Sequence, residues 1–302
     1  MPCIFAVFIC ILAKVMVYCY KYVVRGGEYQ LGKILCSTGA LLGRPNGRNF
    51  NLLPQLEENL HCDGLELMFY DTWYEQLNEL FSVLTRLKKP LYVFHAEKGI
   101  CGKLCSNDSH DIKTALNQFT INCAFASALH IETMVFHLWD GWMDDAHVLA
   151  ALAHYSELNA IAQDHHVRLT IENIVTKQQD PLHYCRVLLQ KHPDAVFTYD
   201  TKMAAFHQQE QSLYETENAS LAASIRHLHV NDYAGGYMDW PQFKTRHIGD
   251  GHVDFNSLFS YLKSISYQGH FTTEATSFDQ AGTIDLNKLN HTLSLLKNLA
   301  QE

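Results

Sequence analysis

The sequence predicts a single α/β barrel of eight parallel strands, and three observations carry that expectation. From Gly32 onward, short runs of branched and aromatic residues alternate with amphipathic helical stretches. Eight such strand–helix units occupy roughly 270 residues, the size of one (β/α)8 barrel of the TIM type. Six consecutive strand-like runs end in a histidine or a carboxylate. A doubly wound open sheet is the competing layout, but no G-x-G-x-x-G follows the first strand. No linker or repeat divides the region. The expected organisation is an apolar N-terminal extension over residues 1–30 and one barrel over 31–302.

Taken in order, GKILCSTG (32–39) reads as strand and NLLPQLEENLH (51–61) as an amphipathic helix beginning after Asn49. DGLELMF (63–69) is the second strand and TWYEQLNELFSVLTRLK (72–88) its helix. The third strand, PLYVFHAEK, carries His95, and helix 111–130 leads to IETMVFHLWDG, which carries His137. Helix 144–165 leads to VRLTIEN with Glu172, and helix 181–192 to AVFTYD with Asp200. A helix of undefined extent within 203–222 precedes Ile225–Val230, which holds His229 and is followed by Asn231 and Asp232. Helix 255–266, with Asp254 as its N-cap, leads to GHFTTEATS with Glu274, and helix 283–300 closes the chain.

Composition narrows the function. A formal net charge of −9, with no basic run longer than Lys88-Lys89, argues against a nucleic-acid partner. Eighteen histidines raise the expectation of metal or acid/base chemistry. Nine cysteines, an odd and scattered set, read as reduced thiols of a cytoplasmic protein. The apolar run over 3–24 is long enough to span a bilayer, with Lys21 and Arg25 as a cytoplasmic flank. An extension packed on the barrel and upstream sequence translated from a wrong start are the other readings of that run.

Strand ends of one polarity meet at one face of a barrel, so His95, His137, Glu172, Asp200, His229 and Glu274 should converge there. Carboxylates held that close cannot all stay ionised without a cation. Three carboxylates with neutral imidazole suit one divalent ion such as Mn²⁺, Mg²⁺, Co²⁺ or Zn²⁺. Lys202, beside Asp200, is a candidate acid or anion-binding group. Trp139, Trp142, Tyr233, Tyr237 and Trp240 lie on loops at the same face and suggest an apolar wall.

Ile-Glu-Asn at 171–173, Asp-Thr at 200–201, His-x-x-Asp at 229–232, His-Ile-Gly-Asp-Gly at 247–251 and Thr-Glu at 273–274 resemble the xylose isomerase-like TIM barrels. That superfamily includes sugar and sugar-phosphate isomerases and epimerases, inosose isomerases and dehydratases, and endonuclease IV. The resemblance implies that Glu172, Asp200, His229 and Glu274 ligate the ion. It also implies that Glu172 and Glu274 exchange a substrate proton, and that His95, His137, His247 and Asp232 line the substrate pocket. The implied activity is isomerisation or epimerisation of a small sugar or sugar phosphate, with endonuclease IV-like hydrolysis or inosose-type dehydration as alternatives. A homo-oligomer is an accompanying expectation, and a membrane partner only through residues 3–24. Endonuclease IV has further metal ligands where this chain has Met203 and Thr245, which speaks against three ions. Gly235 stands where ketose epimerases tend to have arginine.

Overall fold

The eight strands close in strict chain order, each parallel to its neighbours, with the last paired to the first. They are β1 (Ile34–Ser37), β2 (Gly64–Met68), β3 (Leu91–His95), β4 (Thr133–Phe136), β5 (Arg168–Glu172), β6 (Val196–Asp200), β7 (Ile225–His229) and β8 (His270–Thr273). The computed structural model describes residues 32–106, 108–279 and 281–301. The expectations for residues 1–30 therefore lie outside the described residues. Among the described residues, no helix is long and apolar enough to cross a membrane.

Successive strand side chains face opposite sides of the sheet, which divides the core in two. Leu67, Phe94, Phe136, Ile171, Phe197 and Leu228 join Leu80, Phe119, Leu158, Leu188 and Leu258 of the surrounding helices in one continuous cluster. Leu35, Val93 and Val135 form a separate small plug inside the barrel. Much of the remaining interior is polar. Thr170 Oγ1 and Thr198 Oγ1 lie 2.7 Å apart, and Glu66 of β2 reaches across to His227 and His229 of β7. β2 and β7 are not neighbours, so that contact passes through the barrel's centre.

The connecting helices are shorter than the apolar periodicity suggests. The stretch after Asn49 begins with a 3-10 turn, capped by the Asn49 side chain on the Asn51 N–H, and becomes α-helical only over Leu53–Glu57. The segment 72–88 is a 3-10 turn over Asp71–Gln76 and then a helix over Leu77–Leu84. The segment 144–165 breaks at His154 into Asp145–Ala153 and Tyr155–Asp164. Between β6 and β7 only Thr201–Phe206 and Ala219–Ser224 are α-helical. Asp254 caps its helix as expected, accepting the Ser257 N–H at 3.0 Å.

Candidate metal centre and substrate cavity

Glu172, Asp200 and His229 are the last residues of β5, β6 and β7, while His137 and Glu274 directly follow β4 and β8. The register pairs Asp200 with His229, so the barrel's closure alone brings these side chains to one point. Glu172, Asp200, His229 and Glu274 each offer a ligand atom, all within 4.8 Å of one another. His229 Nδ1 lies 2.9 Å from Glu172 Oε1 and 3.5 Å from Glu274 Oε2.

Hydrogen bonds fix each carboxylate. Asp200 Oδ1 accepts the backbone N–H groups of Lys202 and Met203, and Asn173 is bonded both ways to the Asp200 backbone. Asn231 Nδ2 donates to Asp200 Oδ2 and Glu274 Oε2, each at 3.2 Å, while its Oδ1 accepts the Glu274 N–H. Behind the centre, Glu66 accepts from His227 Nε2 at 2.8 Å and from His229 Nε2 at 3.1 Å. With Nε2–H directed to Glu66, Nδ1 of His229 is the nitrogen that faces the other carboxylates.

A second group sits beside the first. His95 Nε2 and His137 Nε2 lie 3.5 and 2.6 Å from Glu172 Oε2, yet none of these three buried atoms has a hydrogen-bond partner. His95 Nδ1 is directed at the Ala96 carbonyl, 2.9 Å away, which leaves Nε2 to face the carboxylate as an acceptor. Lone pairs turned toward one another inside a protein fit a divalent cation better than they fit each other. The donor set, neutral imidazole and carboxylate, is one that Mn²⁺, Co²⁺ or Zn²⁺ accepts.

The electrostatics agree. Burial disfavours the charge on His229, but Glu66, Glu274 and Glu172 outweigh it and raise its pKa well above the usual imidazole value. Burial likewise opposes ionisation of Glu66 and Glu172, and their histidine partners overcome it, placing both well below the ordinary carboxylate range. Burial pushes Asp200 up to about 6 against the pull of the nearby Lys202 ammonium, with Glu172 and Glu274 adding to the rise. Burial pulls His137 down to about 4, so it is a neutral donor at physiological pH.

A cavity of about 420 Å³ opens over Glu172 and Glu274, with Arg48, Met68, Phe69, Tyr70, Glu97, Lys98, Lys202 and Thr245 around it. Lys202 lines the wall, whereas His95 and His137, also expected at the pocket, are not among its lining residues and lie against Glu172 beneath it. His247 and Asp232 do not line this cavity, which corrects the pocket role expected for them. His247 is buried with Nδ1 on Thr292 Oγ1 and Nε2 on Ser277 Oγ. The Asp232 carboxylate accepts the N–H groups of Tyr233, Gly249, Gly251 and Val253. The Gly-Asp-Gly motif serves this fold-back: Gly249 has φ +91°, and a Cβ at Gly251 would lie 2.2 Å from the Tyr233 carbonyl oxygen. The expected aromatic wall is also redistributed. Trp139 and Tyr233 are core residues, and Trp142 stacks on Trp240 at 4.9 Å away from the cavity lining.

Sequence reasoning missed Glu66, His227, Asn231 and Glu97. The first two carried a readable signal. A glutamate between leucines in a fully buried strand requires a partner, and His227 shares the face of His229 by the two-residue period.

A closed parallel barrel with buried histidines and carboxylates at its C-terminal strand ends defines a narrow class of proteins. The chain belongs to the xylose isomerase-like TIM barrel family, whose model matches residues 57–299. A D-tagatose 3-epimerase-like protein superposes with a TM-score of 0.68 at 18% identity, over 88% of this chain and 96% of that one. An L-ribulose 3-epimerase gives 0.67 at 12%, over 90% and 95%. The D-psicose 3-epimerase of Clostridium cellulolyticum H10, solved with D-tagatose, gives 0.62 at 13%, over 89% and 100%. No curated protein matches the chain by sequence. At these identities the superpositions establish the fold.

Proposed function

We propose that this protein is a divalent-metal-dependent ketose isomerase or epimerase. One observation carries the reading: Glu172, Asp200, His229 and Glu274 gather their ligand atoms within 4.8 Å beside a cavity of sugar size. When bound, a divalent ion there supplies a Lewis acid for a carbonyl and its neighbouring hydroxyl. Glu172 and Glu274 come from β5 and from the end of β8, and both line the cavity. One removes the proton from the carbon next to the carbonyl and the other returns it, as acid/base groups of fixed position. Asn231 holds Asp200 and Glu274 together, and Glu66 holds His229. The epimerase neighbours support the reading at the level of reaction class.

The test is a panel of ketoses in deuterated water with Mn²⁺, Mg²⁺, Co²⁺ or Zn²⁺ supplied. A substrate should take up deuterium at one carbon, and Glu172→Gln and Glu274→Gln should each lose about a hundred- to ten-thousand-fold in turnover. Release of water from an inosose-type ketone after the same proton removal would move the assignment to a dehydratase. Absence of carbon–hydrogen exchange across the panel would refute the reading.

A second reading has its own observation. His95, His137 and Glu172 form a further ligand group that shares Glu172 with the first, and paired ions suit phosphoester hydrolysis. Met203 and Thr245 and the net charge of −9 count against an endonuclease IV-like nuclease. Cleavage of DNA at an abasic site would favour it.

A further inference from the structure

Glu97 stands two residues beyond His95, the last residue of β3, and it lines the cavity while being only 7% exposed. Its position is built from below. The Glu97 N–H donates to Asn122 Oδ1 at 3.0 Å, and Asn122 is itself fully buried. Asn122 Nδ2 in turn donates to Tyr74 Oη and to the Gln118 carbonyl, each at 2.8 Å. Glu97 Oε1 accepts the Gly99 N–H. A Cβ at residue 99 would lie 2.7 Å from that oxygen, so glycine gives the carboxyl group its room.

The second oxygen is different. Glu97 Oε2 is buried and has no hydrogen-bond partner. Among the described residues no lysine, arginine or histidine lies within ion-pair distance of Glu97. A buried acceptor without a donor costs about as much as a lost hydrogen bond, so the missing donor is expected from the occupant of the cavity. Glu97 does not belong to the gathered ligand groups, and the proton exchange assigned to Glu172 and Glu274 makes no use of it. In the closed ring of eight strands β3 lies opposite β7. Glu97 therefore faces the metal centre from across the cavity, with Phe69 and Tyr70 on its own side.

We propose that Glu97 is a specificity-determining residue whose Oε2 accepts a hydrogen bond from one substrate hydroxyl outside the reacting carbons. A ketose whose carbonyl and neighbouring hydroxyl sit on the β5–β8 side extends its remaining hydroxyls toward Glu97. The proposal rests on the isomerase/epimerase reading for which oxygens react, and on the geometry of Glu97 for the acceptor. A ketose that lacks the recognised hydroxyl leaves a buried acceptor unpaired and is discriminated against.

The experiment uses the full chain supplied with Mn²⁺ and has two arms. The first measures kcat/KM for deuterium exchange with D-fructose, D-psicose, D-tagatose and L-sorbose, then with the 4-, 5- and 6-deoxy forms of the fastest. The wild type should reject one deoxy form by about ten- to a hundredfold, the range for a hydrogen bond to a carboxylate. Glu97→Met should erase that ratio by lowering the parent ketose to the level of its deoxy form, and should leave the other two ratios unchanged. Glu97→Gln keeps an oxygen for the Gly99 N–H and should retain part of the discrimination. In the second arm, calorimetry measures binding of the four ketoses, and of the deoxy forms of the tightest binder, to wild type and E97M. The same loss, confined to one hydroxyl, should appear in Kd. An E97M protein that weakens parent and deoxy forms alike shows a structural role and overturns the proposal. Unchanged ratios in E97M, or a wild type that binds none of the four ketoses, overturn it as well. If ketoses bind but none exchanges a proton, the isomerase reading fails, and the binding arm alone decides the role of Glu97.

Discussion

Replacing Glu66 by glutamine tests whether the barrel's interior positions the metal ligand His229. Glu66 is fully buried and accepts from His227 Nε2 at 2.8 Å and from His229 Nε2 at 3.1 and 3.2 Å. Both histidines present an N–H to it, so a glutamine has one acceptor for them and sets its own NH2 against a donor. The loss is at least one charge-assisted hydrogen bond, about 1.5–3 kcal/mol. A buried imidazolium with weakened compensation adds to this, toward the roughly 3–5 kcal/mol of a broken buried pair. Taking about 3 kcal/mol and an unfolding entropy of about 2 cal/mol/K per residue, the metal-free variant should melt about 5 °C lower. Metal affinity should fall about ten- to a hundredfold, because Nε2–H no longer fixes the ring that offers Nδ1. Competition against a chelator measures the affinity, and a melting curve of the stripped protein measures the stability. Unchanged affinity together with a melting temperature within about 1 °C of wild type would show that Glu66 positions nothing.

Three further outcomes follow from the same geometry. In the metal-free protein His229 is protonated through neutral pH, since its carboxylate neighbours raise its pKa, and an ion must displace that proton from Nδ1. Affinity should therefore rise with pH across the neutral range with about one proton released per ion; calorimetry in buffers of different ionisation enthalpy counts it. Affinity should fall more steeply below about 6, where Asp200 takes up its own proton. Finally, Asp232→Ala should cost about 3 kcal/mol or more by orphaning four backbone N–H groups, while His247→Ala and Asp232→Ala proteins that remain folded keep their metal. Metal lost from both folded proteins by elemental analysis would contradict that expectation.

The fold was legible because barrel strands bury their outward faces under helices and carry branched runs that survive in a single sequence. Asp200, His229 and Glu172 were legible for a related reason: each ends a strand, and closure makes strand ends meet. What stayed hidden depends on contacts across the barrel's centre. Glu66 lies 161 residues from His227, and no local spacing links them. The motif carrying Asp232 and His247 was visible, but its use was not. Whether a polar group of that motif faces a cavity or folds back on loop N–H groups is settled by the backbone path after β7. Helix lengths were overestimated where apolar periodicity continues through 3-10 turns, as over Asp71–Gln76, because both turn types bury similar faces.

The central claim is that Glu172, Asp200, His229 and Glu274 together hold one catalytic ion. Elemental analysis of the full chain, purified with Mn²⁺ present and dialysed free of excess, tests it most directly alongside the Asp200→Asn protein. The account expects close to one ion per chain in the wild type and near none in a folded D200N protein. Two ions per chain would favour the paired-metal hydrolase reading, and an ion retained at wild-type level in D200N would contradict the account.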